Sequence, residues 1–140
     1  MRIGIIGAGV AGLTTAKVLK QAGHDVEVYD RTPDVGGVWS RTRRYPGLTT
    51  QSPSRQYSFS DFPMPKGFPE WPTGAQVQEY LASYAAHAGL DPVLRLSTTV
   101  TAATPLPDGG WRVESTSEDG GPRTADYDRL VVERDRKSVV

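Results

Sequence analysis

One hundred and forty residues are the size of one ordinary domain, so a single modest core is expected. Sixteen basic and sixteen acidic residues cancel, which leaves no electrostatic ground for binding nucleic acid or an anionic membrane surface. The lack of cysteine removes disulfides, thiolate catalysis and thiolate-bound metal, two histidines are too few for a histidine-rich metal site, and no apolar run approaches the roughly twenty residues of a membrane span; the chain reads as metal-free, soluble and cytoplasmic.

The first predicted element is a short apolar strand over Arg2 to Ile6, followed at once by Gly7-Ala8-Gly9-Val10-Ala11-Gly12. From Val10 a helix is expected, with Leu13, Ala16, Val18 and Leu19 on a broad apolar face and Ala22-Gly23 at its end. Val26 to Tyr29 forms the next strand, closed by Asp30. This spacing has a chemical reason. Gly7 permits the sharp turn, Gly9 leaves no Cβ between backbone and a pyrophosphate, and Gly12 lets the helix lie close on the sheet. The N–H groups and dipole of the helix start favour phosphates. Asp30, eighteen residues after Gly12, is placed to accept hydrogen bonds from an adenosine ribose. A purely structural turn, with Asp30 as a surface acid, is the alternative. The joint register of strand, glycine turn, helix, second strand and acid favours dinucleotide binding.

The next stretch, Arg31-Thr32-Pro33-Asp34-Val35-Gly36-Gly37-Val38-Trp39, sets a glycine pair soon after the acid. The run from Gly7 to Trp39 resembles the FAD fingerprint of two-dinucleotide flavoproteins, specifically the flavin-containing and Baeyer–Villiger-type monooxygenases. The resemblance implies that the first motif, Gly7 to Gly12, holds FAD, with Asp30 on the adenosine ribose and Arg31 near the adenine. Gly37, Val38 and Trp39 would line the pyrophosphate and ribityl side, unless Trp39 is an ordinary core aromatic.

From Arg43 to Pro72 the chain is rich in aromatics and proline and poor in periodicity, so a long loop is expected, and loops of this length in a compact domain are usually functional. The resembled family carries a similar YSFSDFP-like segment that covers the flavin. Just upstream it places an asparagine that contacts flavin and nicotinamide; Gln51 stands there, one methylene longer, as a candidate catalytic residue. Ser54 stands where many members have lysine. Asp61 either assists catalysis or accepts hydrogen bonds from loop amides. Arg43 and Arg44 meet a phosphate or nicotinamide, or form a solvated pair, and Tyr57, Phe59, Phe62, Phe68 and Trp71 are read as packing the loop onto the domain.

Thr73-Gly74-Ala75-Gln76 has capping-box spacing, and Val77, Tyr80, Leu81, Tyr84, Ala85 and Ala88 recur at helical spacing up to Gly89. His87 lies off that stripe. Strands are then expected at 94–97, 98–104, 111–116 and 125–132, the last three joined by tight turns into an antiparallel meander. By the resemblance, the backbone of Val100 recognises adenine.

The expected fold class is α/β, a truncated Rossmann-like FAD-binding fold with a small antiparallel meander. A partial FAD-binding domain is expected over 1–132, with an active-site-type loop at 39–72 and the meander at 98–132, followed by an off-pattern charged tail at 133–140. The resemblance covers residues 2 to about 132, and it implies the FAD-binding portion of an NADPH-dependent monooxygenase. Such an enzyme oxygenates a small organic substrate through a flavin C4a-peroxide. No second glycine motif for NADPH follows, so the chain alone is expected to be inactive and to need a complementary NADPH-binding chain or self-association. A non-catalytic FAD-binding module or relic and an FAD-dependent oxidase remain as alternatives, the latter disfavoured by the YSFSDFP segment.

Overall fold

The computed structural model describes residues 1–133. Strand β1 (Arg2–Ile6), helix α1 (Val10–Gln21) and strand β2 (Asp25–Tyr29) form the opening unit. After a long loop and a 3₁₀ turn at Gly37–Trp39 come helix α2 (Gly74–His87), strand β3 (Leu94–Arg95), strands β4 (Thr98–Pro105), β5 (Trp111–Ser117) and β6 (Gly121–Tyr127), and strand β7 (Arg129–Val132). The strands make two sheets, a parallel one in the order β3-β2-β1-β7 and an antiparallel one in the order β4-β5-β6. This is the Rossmann-like α/β fold with its meander.

Alternation along β1 and β2 explains the layering, because successive side chains leave opposite faces of a strand. Ile3, Ile5, Val26 and Val28 enter one core with Leu13 and Ala16 of α1 and with Val77, Leu81, Tyr84 and Ala85 of α2. Tyr29 points the other way and packs with Val113, Tyr127 and Leu130 against the meander. The α2 stripe is the one its spacing predicts. Its start carries the full capping box, with Gln76 N donating to Thr73 Oγ1 at 3.2 Å and Thr73 N donating to Gln76 Oε1 at 2.9 Å.

The end of the meander departs from expectation. Residues 125–132 are not one strand: the chain leaves the meander at Tyr127 and re-enters the parallel sheet as β7, beside β1. Asp128 makes the crossing, since its N–H donates to Arg2 O at 2.8 Å while its Oδ2 accepts from Arg2 N at 2.7 Å. The meander therefore closes at 127. A continuous alternating pattern does not reveal which sheet a strand joins; the clamp at Arg2 marks the point where the pairing passes from β5 to β1. Of the predicted tail, Glu133 extends the ladder by donating its N–H to Ile6 O at 2.8 Å, and residues 134–140 lie outside the described residues.

Glu27, in the middle of β2, fastens the two sheets. Its side chain is 11% exposed and faces the meander, where Tyr127 OH donates to Oε1 at 2.8 Å. Arg2 of β1, Arg95 of β3 and Arg123 of β6 approach the same carboxylate at 3.1, 3.0 and 3.3 Å. Burial alone pushes the Glu27 carboxyl up, but the Tyr127 hydroxyl and the Arg123 and Arg95 guanidinium groups outweigh it and hold the carboxyl below its ordinary value. A carboxyl lowered on folding contributes stability above its unfolded pKa and loses it as pH falls through the folded pKa. Acid unfolding of the natural chain should accordingly steepen below roughly pH 4, and Glu27→Gln should flatten that limb. Glu27→Ala should lower urea stability by about 3 kcal/mol, the low end for breaking a buried pair, because the three arginines are partly hydrated.

Candidate functional site

The β1–α1 turn is built by close approach. A Cβ on Gly12 would lie 1.8 Å from the carbonyl oxygen of Gly7, so only glycine lets α1 begin this near the end of β1. The start of α1 has no side-chain cap and no acid in its first turn. The N–H groups there need an acceptor, and the positive end of the helix dipole favours an anionic one.

The second glycine pair docks on this turn. Gly36 N donates to Ala8 O at 2.9 Å, and a Cβ on Gly37 would stand 3.2 Å from the Cα of Gly9. Two backbone runs thus meet with no side chain between them. Asp34 holds this second run in shape, accepting from Ser40 Oγ and, at 3.2 Å, from Arg41 N. Gln78 of α2 donates to Val35 O at 3.2 Å.

A groove of about 280 Å³ opens over the junction. Gly7, Gly9, Val10 and Ala11 line it from the first turn, Asp30 and Arg31 from the end of β2, Gly37, Val38 and Trp39 from the second glycine run, and Val100 from β4. Of the residues expected at a dinucleotide, Ala8 and Gly12 lie behind this surface, both buried. The size is near the lower end of the roughly 300–1,000 Å³ usual for small-molecule sites, so these residues supply part of the surface a dinucleotide needs. The fit to such a ligand is local and chemical: bare backbone at an uncapped helix start for phosphate, and a carboxylate at the neighbouring strand end for ribose.

Asp30 has a second duty that its spacing does not reveal. Its Oδ2 accepts from Ala8 N at 2.8 Å, and its Oδ1 accepts from Thr32 N at 3.0 Å and Thr32 Oγ1 at 2.8 Å. The acid ties the glycine turn to the end of β2. A carboxylate has about four lone-pair sites, so three accepted bonds leave one for a ligand hydroxyl.

Gln51 and Asp61 are not brought to the groove. Gln51 is exposed, and Asp61, with its side chain 57% exposed, pairs with Lys17 of α1. That hydrogen bond to Lys17 holds the Asp61 carboxyl below its ordinary value. His87 stacks on Phe62, its ring centroid 4.9 Å away. Tyr57 and Arg43 do line the groove, as do Thr98, Thr99 and Glu133. Arg44, next to Arg43, instead donates to Trp39 O at 3.1 Å and packs under α2. Nothing in the local sequence separates Tyr57 from its aromatic neighbours, or Arg43 from Arg44, because the loop folds on contacts distant in sequence.

A family described as flavin-binding monooxygenase-like matches residues 1–135. Flavin-containing monooxygenase 2 of Homo sapiens is 32% identical over 143 residues, covering 94% of this chain and 26% of that protein. The structure of S-allyl-L-cysteine S-oxygenase from Allium sativum superposes with a TM-score of 0.83 at 26% identity, over 94% of this chain and 35% of that one. That of an oxidized steroid monooxygenase bound to NADP does so with a TM-score of 0.81 at 29% identity, over 94% and 25%. The chain therefore spans a quarter to a third of the length of these relatives.

The turn geometry makes a direct prediction. Gly12→Ala forces a methyl group onto backbone that cannot rotate away, and it should lower urea stability by at least about 2 kcal/mol. A change below about 0.5 kcal/mol would show that α1 shifts freely on the sheet.

Proposed function

Because the chain belongs to the flavin-binding monooxygenase-like family, we propose that it binds FAD and forms the flavin-carrying portion of an NADPH-dependent monooxygenase acting on a small organic substrate. The observation that carries this reading is the contact of Gly9 with Gly37 beside the uncapped start of α1, where a pyrophosphate meets backbone on two sides. In this reading the N–H groups of Val10 and Ala11 face the phosphates, with Arg31 and Arg43 adding positive charge at the rim. The free acceptor site of Asp30 takes a ribose hydroxyl. Thr98 to Val100 border the adenine end, and Gly37 to Trp39 the ribityl side.

When bound, FAD supplies the redox and oxygen chemistry, and the described residues bind it, orient it and exclude water. Dependence on NADPH is supported by the steroid monooxygenase relative solved with NADP. A complementary nucleotide-binding chain, or a second copy of this one, is the proposed partner, and the cytoplasm the proposed setting.

The purified chain should be yellow and show a flavin spectrum. Gly9→Ala places a methyl 3.5 Å from the Cα of Gly37, an ordinary contact on an extended backbone, so folding should be preserved. The same methyl intrudes where phosphate approaches, and FAD affinity measured by equilibrium dialysis should fall by about tenfold, near 1.4 kcal/mol. Unchanged affinity would refute the placement of the pyrophosphate. With NADPH and O₂ residues 1–140 alone should oxidise NADPH no faster than free FAD does; robust substrate-dependent turnover would overturn the proposed partner.

A further inference from the structure

One side-chain hydrogen bond joins Tyr57 of the long loop to Trp39 at the groove. The Nε1–H of Trp39 donates to the hydroxyl of Tyr57 at 2.9 Å, with ring centroids 5.9 Å apart and planes inclined by 76°. Both residues line the groove. An indole has a single donor and, when buried, needs an acceptor. Trp39 is 8% exposed, so the bond to Tyr57 selects the orientation in which its ring forms the wall.

Tyr57 is itself held from a distance. The hydroxyl of Tyr80, on α2, accepts from Phe59 N at 2.9 Å and donates to the carbonyl of Phe62. Phe59 stacks on Tyr84 with centroids 4.0 Å apart, and Asp61 pairs with Lys17 of α1. The loop ends are joined where Thr50 N donates to Pro72 O at 3.1 Å and Ser54 N to Glu70 O at 2.8 Å. The two helices thereby fix the loop, and through it the Tyr57 hydroxyl that meets the Trp39 indole.

We propose that Tyr57 is a positioning residue for the flavin ligand, holding the Trp39 indole as a fixed wall of the groove through this hydrogen bond; the assignment rests on the FAD reading above. Tyr57 acts on the indole and not on reacting atoms. Removing its hydroxyl loosens the wall while leaving the wall in place. Asp61, a catalytic candidate by sequence, is by the same reasoning a fastener of the loop that carries Tyr57.

The test uses the full chain with Trp71 and Trp111 changed to Phe, which leaves Trp39 as the only tryptophan of the three. In this background Tyr57→Phe should keep a cooperative urea transition, lower the fluorescence anisotropy of Trp39 in the absence of FAD, and raise the Kd for FAD about fivefold, the effect of one neutral hydrogen bond. Adding Tyr57→Phe to Trp39→Phe should raise the Kd no further, because the hydroxyl has lost the group it holds. A Tyr57→Phe chain with unchanged anisotropy and unchanged Kd overturns the proposal, as does an equal rise in Kd with and without Trp39. Should the double-Phe background fail to fold, the FAD titrations and the Trp39 cycle are made in the natural chain, where dialysis needs no tryptophan signal and the same outcomes decide. A parent chain that folds but takes up no FAD overturns the functional reading and, with it, the flavin role of Tyr57; loss of Trp39 anisotropy in Tyr57→Phe would then still establish the anchor.

Discussion

The contact between Gly12 and the carbonyl of Gly7 is the constraint on which the rest of the molecule depends. Because a helix backbone touches the end of a strand there, α1 starts at the carboxyl edge of the parallel sheet and lies low enough to share one core with β1 and β2. The same approach leaves the helix start uncapped by side chains and turned toward the groove. The first-turn N–H groups, which have no intrahelical partner in any helix, are thus left open to the phosphates of the proposed ligand. The second glycine run adds the opposing surface, and the Asp30 carboxylate keeps the first turn against β2. Groove and fold are one construction here, so changes to the turn act on packing and on the groove surface through different atoms.

β2 carries a comparable double load. Val26 and Val28 face the helices, while Glu27 and Tyr29 face the meander. A glutamate in the middle of a buried parallel strand is costly unless fully paired. Four partners from three other strands pair it, so the carboxylate orients the antiparallel layer against the parallel one. That orientation brings β4, with Thr98, Thr99 and Val100, to the far side of the groove. The polar hub lies away from the ligand surface yet determines which strand borders it.

The long loop follows a third pattern. It has almost no repeating backbone structure, and side chains from other elements hold it: a tyrosine hydroxyl, stacked rings and one ion pair. Such a segment keeps a defined shape only when its fasteners are intact, which is how one hydroxyl comes to bear on the groove wall. Gln51 and Asp61, both attractive from their neighbours in sequence, end outside the groove, whereas Tyr57 ends inside it.

Much of this was legible in the sequence, because the responsible interactions are short in range. Strand, glycine turn, helix and acid follow one another within thirty residues, so local sterics and periodicity suffice to place Gly7, Gly9, Gly12 and Asp30. The same holds for the Thr73 and Gln76 capping box and for the buried stripe of α2, each set within a few turns of helix. Tertiary structure alone decided the rest. The division of residues 125–132 between two sheets depends on a clamp to Arg2, the role of Glu27 on partners as much as 100 residues away, and the choice of Tyr57 over Asp61 on contacts with α1 and α2. An alternating pattern states which residues share a face, and it is the closing of distant strands and loops around that face that determines what each of them touches.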